Sequence, residues 1–243
     1  KIAAAYQSVN GSAFTENTLP SNETGFYTGI SIRPVAGWKL DGYADLFHFP
    51  WLKYRVDAPG SGKDWVVQLS YAPNRETLLY SRYRQESKPG NNVDESVTNP
   101  VYPFTRESLR TQLNGKFSPE WIFRSRLELV WYNREQSGAE NGFLSYFDLL
   151  YKPRLKPWSG AVRMQYSETD GYNSRIYAFE NDVLYSYSIP VFSGKGYRYY
   201  INMEFDLDKA FSVWVKWAQT LFLEKKYAES GGGQGNEGSG TEF

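Results

Sequence analysis

Charged residues recur at every second position in several segments of the chain, which is the spacing that places side chains on one face of a β-strand. Seven arginines at such positions form a basic group: Arg82, Arg84, Arg106, Arg110, Arg124, Arg126 and Arg163. An acidic group on the same face consists of Asp148, Glu204, Asp206 and Asp208. Basic and acidic walls around one aqueous interior would create a field that binds or selects anionic solutes.

A second interpretation of these charges stays open. The two groups would pair and hydrogen-bond across a filled interior, so that a narrow barrel is plugged by ion pairs. The separation of the two signs along the chain favours an open field, whereas the size of the barrel favours filling.

Catalytic chemistry has few candidates. His48 is the single histidine and there is no cysteine, so a serine hydrolase would depend on His48 as its base. The aromatic residues around His48 predict a structural residue at an outer rim instead. Residues 180–182 and the pair Glu204 and Asp206 are weak candidates for metal binding, and no phosphate loop, dinucleotide fingerprint or zinc spacing occurs. We expect no enzymatic activity, no metal and no cofactor.

Long alternating segments must position the charged groups. Leu127, Leu129 and Trp131 share one parity, whereas Arg126 and Glu128 share the other. Such two-faced segments reach the roughly nine to eleven residues that a tilted strand needs to cross a bilayer. We predict eleven strands, over residues 1–9, 24–33, 38–48, 64–72, 76–86, 104–116, 120–134, 143–152, 158–168, 197–207 and 211–224.

The connections between these strands alternate in length. Short links are predicted at residues 33–37, 73–75, 117–119, 153–157 and 208–210. Long polar links are predicted at residues 10–23, 50–63, 87–103, 136–142, 169–196 and 225–240. Short turns on one side and long loops on the other are typical of outer-membrane barrels. The strand-like residues 175–189 are then interpreted as a structured outer excursion that does not cross.

Composition agrees with a membrane-embedded barrel. The chain has 243 residues, with 27 basic and 27 acidic ones, so its net charge gives no reason to expect nucleic acid as a partner. Aromatic residues make up 18% of the chain, an excess that interfacial girdles would explain. The girdle candidates are Trp38, Phe47, Trp121, Trp131, Tyr132, Tyr151, Trp158 and Trp217.

The predicted fold is therefore all-β, a transmembrane antiparallel up-and-down β-barrel of about twelve strands in the outer membrane of a bacterial cell. Residues 1–243 form one domain, and residues 241–243 begin a last strand that is cut off. We expect the chain to be an incomplete C-terminal part of a longer protein; a tail without order, or Phe243 as a true terminal aromatic, is the alternative.

Two long segments carry a family resemblance. Residues 43–59 (YADLFHFPWLKYRVDAP) and 175–190 (RIYAFENDVLYSYSIP) resemble the C-terminal barrel region of Bacteroidota helix-hairpin-helix domain-containing, competence-protein-like outer-membrane proteins. Residues 194–200 and the stretch through 217–220 extend the match over most of the chain. The resemblance implies an outer-membrane location and a preceding part that binds DNA or another partner. No helix-hairpin-helix repeat occurs here, so nucleic-acid binding is not supported for any residue of this chain.

These observations predict a porin-like channel or transport role for polar or anionic solutes, with outer-membrane lipid as the surrounding partner. The alternative is a non-conducting barrel that anchors or assists another envelope protein in a membrane protein complex. The long links at residues 50–63, 87–103 and 169–196 would supply that contact.

Overall fold

The computed structural model describes residues 4–8, 23–53, 56–91, 100–134, 138–208, 210–224 and 240–242. These residues are all-β, and in this part of the chain no helix is long and apolar enough to span a membrane. The strands are β1 (Ala4–Ser8), β2 (Glu23–Ile32), β3 (Trp38–Phe49), β4 (Gly60–Tyr71), β5 (Thr77–Asn91), β6 (Val101–Lys116), β7 (Trp121–Arg134), β8 (Gly138–Tyr151), β9 (Trp158–Thr169), β10 (Ile176–Tyr177), β11 (Val191–Phe192), β12 (Lys195–Asp208), β13 (Phe211–Glu224) and β14 (Gly240–Glu242).

The strands form an antiparallel meander, in which neighbours in sequence are neighbours in the sheet. The order runs from β1 through β9 and continues with β12, β13 and β14. Ten of these strands have 10–16 residues, and only β1 and β14 are shorter. The two-residue strands β10 and β11 pair separately. The prediction that residues 175–189 do not cross with the other strands is therefore confirmed.

Most strand positions predicted from alternation are confirmed, but three connections differ. β4 starts at Gly60 and β5 continues to Asn91, so the links predicted at residues 50–63 and 87–103 are shorter than predicted. β8 starts at Gly138, so the long link predicted at residues 136–142 is wrong. The strands continue to pair there although their residues do not alternate between apolar and polar. Hydrogen bonds between strands involve only the extended backbone and do not require such a pattern. The loops predicted at residues 10–22, 92–99 and 225–239 lie outside the described residues.

The chain divides into two compact units. The first comprises Lys1–Ser70, Ser81–Leu109 and Trp131–Ala139; the second comprises Tyr71–Tyr80, Arg110–Val130 and Glu140–Phe243. In the first unit, Phe26 and Leu46 are paired neighbours on one face of β2 and β3, and both are largely exposed. Tyr43, on the opposite face, donates a hydrogen bond to Asp64 at 3.0 Å.

The second unit has an inverted distribution of polarity. One face of its strands exposes apolar side chains, namely Leu127, Phe147, Val162, Met164, Ile201, Val215 and Trp217, with Met164 71% exposed. The other face is buried and mixed, with apolar side chains such as Leu144, Leu150 and Tyr200 beside polar ones. The buried polar side chains are Arg126, Glu128, Asp148, Arg163, Gln165, Ser167, Thr169 and Arg198. Soluble proteins rarely bury charges or expose a whole apolar face, so this sheet departs from the soluble arrangement on both faces.

Candidate functional site

Residues 170–194, which connect β9 to β12, lie over the buried polar face of the second unit; we call them the cover segment. Its backbone is extended near Ile176–Tyr177 and Val191–Phe192, where alternate side chains point to opposite sides. Ile176, Ala178 and Glu180 are almost completely buried, whereas Tyr177 and Phe179 are exposed. The sequence predicted an outer excursion here, but the structure packs the segment against the sheet. The polar face needed partners that solvent does not supply there, and the segment supplies them.

The start of the cover segment is fixed to β8 by a carboxylate and a glycine. Glu140 accepts hydrogen bonds from the backbone N–H groups of Asn173 and Ser174, at 3.0 and 3.1 Å, and from the Asn173 amide at 2.7 Å. A Cβ at Gly142 would lie 2.4 Å from the Ser174 carbonyl oxygen. Only glycine therefore permits this close approach of the two backbones.

A buried ion pair lies beneath the middle of the cover segment. Arg163 on β9 is paired directly opposite Asp148 on β8, and its Nε and Nη2 donate to both carboxylate oxygens at 2.5 and 2.6 Å. Their side chains are only 1% and 0% exposed. Arg163 also stacks over the Tyr146 ring and donates to the Phe179 carbonyl at 2.7 Å. One guanidinium thus joins two strands to the cover segment.

A second group of charges lies on β6 and β7. Glu128 accepts hydrogen bonds from both Arg110 and Arg126. Arg126 also donates to the Tyr177 carbonyl of the cover segment at 3.1 Å. The side chains of Glu128 and Arg126 are each only about 6% exposed. Because burial makes an unpaired charge costly, these contacts hold the group together as a unit.

A third group ties the far part of the cover segment to β12 and β13. Glu180, fully buried, accepts hydrogen bonds from Arg198 at 2.6 and 3.1 Å and from Lys216 at 3.3 Å. Lys216 also contacts Asp182 at 3.1 Å. The weak metal candidate at residues 180–182 is therefore engaged with cations of the protein itself. No cluster of three or more metal-ligating side chains occurs among the described residues.

The structure places the predicted basic group in both units. Arg82, Arg84 and Arg106 belong to the first unit, where Arg84 is half-exposed and pairs with Asp64 at 2.8 Å and Glu86 at 3.1 Å. Members that belong to the second unit are Arg110, Arg124, Arg126 and Arg163. The partly buried Arg124 acts electrostatically on Asp148. Three of these four arginines, Arg110, Arg126 and Arg163, have carboxylate partners.

Among the predicted acidic residues, Asp148 contacts the predicted basic group directly, through Arg163. Glu204 accepts a hydrogen bond from Ser159 at 3.0 Å, and Asp206 accepts one from Ser212 at 2.5 Å. Asp206 and Asp208 are exposed near the end of β12. Arg110 and Arg126 pair instead with Glu128, which the predicted acidic group did not include.

The predicted basic and acidic groups did not include Glu128, Glu180, Asp182, Arg198 and Lys216, although residues 180–182 were considered for metal binding. Glu128 and Arg198 lie on the polar parity of their strands, so alternation alone was a usable signal for both. Glu180 and Asp182 belong to a connection between strands, where no periodicity assigns a face. Their roles depend on how the cover segment folds back.

His48 was considered as a catalytic base. Its Nδ1 lies 2.9 Å from the hydroxyl oxygen of Ser61 in an exposed position. No carboxylate is among the contacts of His48 in the described part of the chain. A nucleophile and a base are thus adjacent, but the group that would orient the base is not supplied by these residues.

Comparisons with known proteins give little beyond the fold. No protein-family profile matches the chain, and no curated protein matches it. Among solved structures, the antiparallel sheet is similar to the TodX monoaromatic hydrocarbon channel deltaS2 mutant, with a TM-score of 0.34 and 13% sequence identity. The match covers 82% of this chain and 64% of that chain. The chain thus spans less than two thirds of the length of that structure.

Proposed function

We propose that the protein is a bacterial outer-membrane β-barrel whose sheet closes with the polar face inward. The observation that carries this proposal is the inverted polarity of the second unit: apolar side chains are exposed on one face and ion pairs are buried on the other. Lipid requires the first face, and a barrel interior accommodates the second. Strands of 10–16 residues are also long enough to cross a bilayer.

Aromatic side chains at the strand ends support the same proposal. Trp121, Tyr151 and Trp158 form a contiguous row, with successive ring centroids 4.6 Å apart. Phe117 extends the row, at 6.2 Å from Trp121. These residues border the short connections after β6 and β8. Amphipathic rings gathered at one end of several strands match the girdle that forms where a barrel meets lipid headgroups.

The absence of cysteine from the sequence makes the membrane assignment directly testable. Single cysteines at Ile201 and Asn202, which are adjacent and point to opposite faces of β12, are labelled with a nitroxide in lipid vesicles. We expect the label at 201 to be accessible to oxygen, which concentrates in lipid, and the label at 202 to be protected from it. Equal accessibility of both labels, or a monomer that is soluble without detergent, would contradict a lipid-facing sheet.

We further propose that the barrel has a transport role for polar solutes and that the cover segment narrows the passage. The segment is held partly by a small apolar cluster, in which Ile176, Ala178 and Phe192 are buried with residues of β7 and β8. Its other contacts are hydrogen bonds and ion pairs, which can be exchanged for water. Arginines 110, 126 and 163 already pair with Glu128 and Asp148. Because carboxylates already neutralise these arginines, the pairing supports a passage for polar solutes in general and not a passage that selects anions.

Conductance in planar bilayers tests this role. Glu180→Gln leaves Arg198 and Lys216 without their shared carboxylate charge, and we expect larger or more frequent openings than in the wild type. Glu168→Gln is the matched control, because the Lys195–Glu168 pair on the same unit is half-exposed at 3.1 Å. Silence of both the wild type and Glu180→Gln in bilayers would overturn the transport role.

The second candidate is a non-conducting barrel that anchors or assists another envelope protein. It is favoured by the buried ion pairs, which fill the polar face beneath the cover segment. The resemblance to Bacteroidota helix-hairpin-helix proteins belongs to this proposal, since a preceding domain would need such an anchor. Purification of the full-length protein from its native membrane tests it: a stoichiometric partner supports the accessory role, and an isolated conducting barrel excludes it.

In either case we propose a role without catalysis. The support is chemical: His48, the single histidine, faces a hydroxyl but no orienting carboxylate in the described residues. Labelling of Ser61 by a serine-directed phosphonate would contradict this part of the proposal.

A further inference from the structure

A cavity of about 430 Å³ lies between the returning arm of the cover segment and strands β9, β12 and β13. Its volume is within the range of small-molecule binding sites. Its polar lining comprises Ser167, Ser188, Ser193, Arg198 and Thr220, and Phe192 and Phe222 supply two aromatic rings. The cavity thus combines hydroxyl groups with ring faces, as sites for amphipathic solutes do.

The charges at this cavity are already balanced. Arg198 gives two hydrogen bonds to Glu180 and a third, at 2.8 Å, to the Thr220 hydroxyl. Its guanidinium therefore has little capacity left for an anionic ligand. An anion would also have to displace the fully buried Glu180 carboxylate, which would then lose its partner in a site of low polarity. Charge balance favours a neutral ligand.

Several polar groups at the cavity have no protein partner. The structure describes no hydrogen bond from the hydroxyl of Ser167, Ser188 or Ser193 to another described residue. Ser167 is only 8% exposed, whereas Ser188 and Ser193 are partly exposed. A buried hydroxyl such as that of Ser167 is normally satisfied, so it is available to a molecule bound in the cavity, which the other two serines also line.

We propose that this cavity binds a neutral, hydroxyl-rich solute of sugar-like chemistry. The serine hydroxyls donate and accept hydrogen bonds, as the hydroxyls of such a solute do. Phe192 and Phe222 offer faces for its C–H groups. The inference deepens the proposed transport role and rests on it, because it assigns a solute class to a cavity beside the passage.

Binding is measured on the full chain in detergent by saturation-transfer NMR, with maltose as the probe and inorganic phosphate and indole as comparison compounds. We expect saturable binding of maltose with a Kd in the millimolar range, as few hydrogen bonds provide, and weaker binding of the other two. Absence of saturable maltose binding would overturn the inference. Preferential binding of phosphate would show an anion site instead, and preferential binding of indole an apolar one.

Variants locate the bound sugar. Ser167→Ala combined with Ser193→Ala, and separately Ser188→Ala, should each weaken maltose binding by about tenfold. Ser186→Ala, a change in the same segment at a serine outside this lining, should leave binding unchanged. If the double variant fails to fold, Ser188→Ala still tests the site, because Ser188 is partly exposed and its hydroxyl makes no hydrogen bond to another described residue. Wild-type affinity in both variants would refute the location.

The two proposals fail in different ways. Sugar binding in detergent does not depend on conduction, and conduction in bilayers does not depend on sugar. A barrel that conducts without binding maltose refutes only this inference. A barrel that binds maltose but never conducts refutes the transport role and keeps the site.

Discussion

Neutralising Asp148 should destabilise the protein strongly, because the change leaves a buried guanidinium without its counter-charge. Asp148 and Arg163 are essentially inaccessible to solvent, and both carboxylate oxygens accept from the guanidinium within 2.6 Å. Removing one partner of such a buried pair costs about 3–5 kcal/mol. We therefore expect Asp148→Asn to lower the free energy of unfolding by that amount, and to loosen the Phe179 contact that Arg163 makes.

The assay is urea unfolding in lipid vesicles, followed by tryptophan fluorescence and by heat-modified migration in gels. Glu168→Gln is the control, because its half-exposed pair with Lys195 should be worth at most about 1 kcal/mol. The double variant Asp148→Leu with Arg163→Met should recover most of the loss, since apolar replacements of a buried pair are often neutral or stabilising. A loss in Asp148→Asn no larger than in the control would refute the reasoning that the pair is desolvated.

Two further predictions concern local geometry and chemistry. Gly142→Ala should displace the Ser174 carbonyl, so that trypsin cleaves the chain faster at Arg175. Gly29→Ala is the control, because its Cβ would make an ordinary contact of 3.4 Å and should leave cleavage unchanged. Equal cleavage rates in the two variants would show that the close approach at Gly142 is unimportant. A serine-directed phosphonate should not label the full-length protein, because Ser61 has a hydrogen-bonded histidine but no complete triad; stoichiometric labelling that is lost in Ser61→Ala would show an enzymatic site.

Period-two alternation was sufficient to predict the long strands. The alternation of Leu127 and Leu129 with Arg126 and Glu128 is a local property of extended backbone, and β7 indeed spans this stretch. Links such as residues 33–37 were predictable because turn-forming residues interrupt the alternation. The ends of β5 and β8 were not, since pairing there continues through polar residues that show no two-faced pattern.

The groups that face one another depend on register, which the sequence does not display. Asp148 and Arg163 meet because β8 and β9 pair with those residues opposite. A shift of one residue would have turned either side chain to the exposed face. The prediction of separate basic and acidic walls treated each strand alone, whereas the ladder places opposite charges side by side.

Residue type and spacing along each strand are enough to predict long two-faced strands, joined in order, with one apolar face and one that carries charge. What the charged face does depends on contacts between distant parts of the chain. The cover segment folds back through contacts such as Glu180 with Arg198, which lie 18 positions apart. Burial beneath that segment turns scattered charges into ion pairs, because a desolvated charge is tolerated only with a partner.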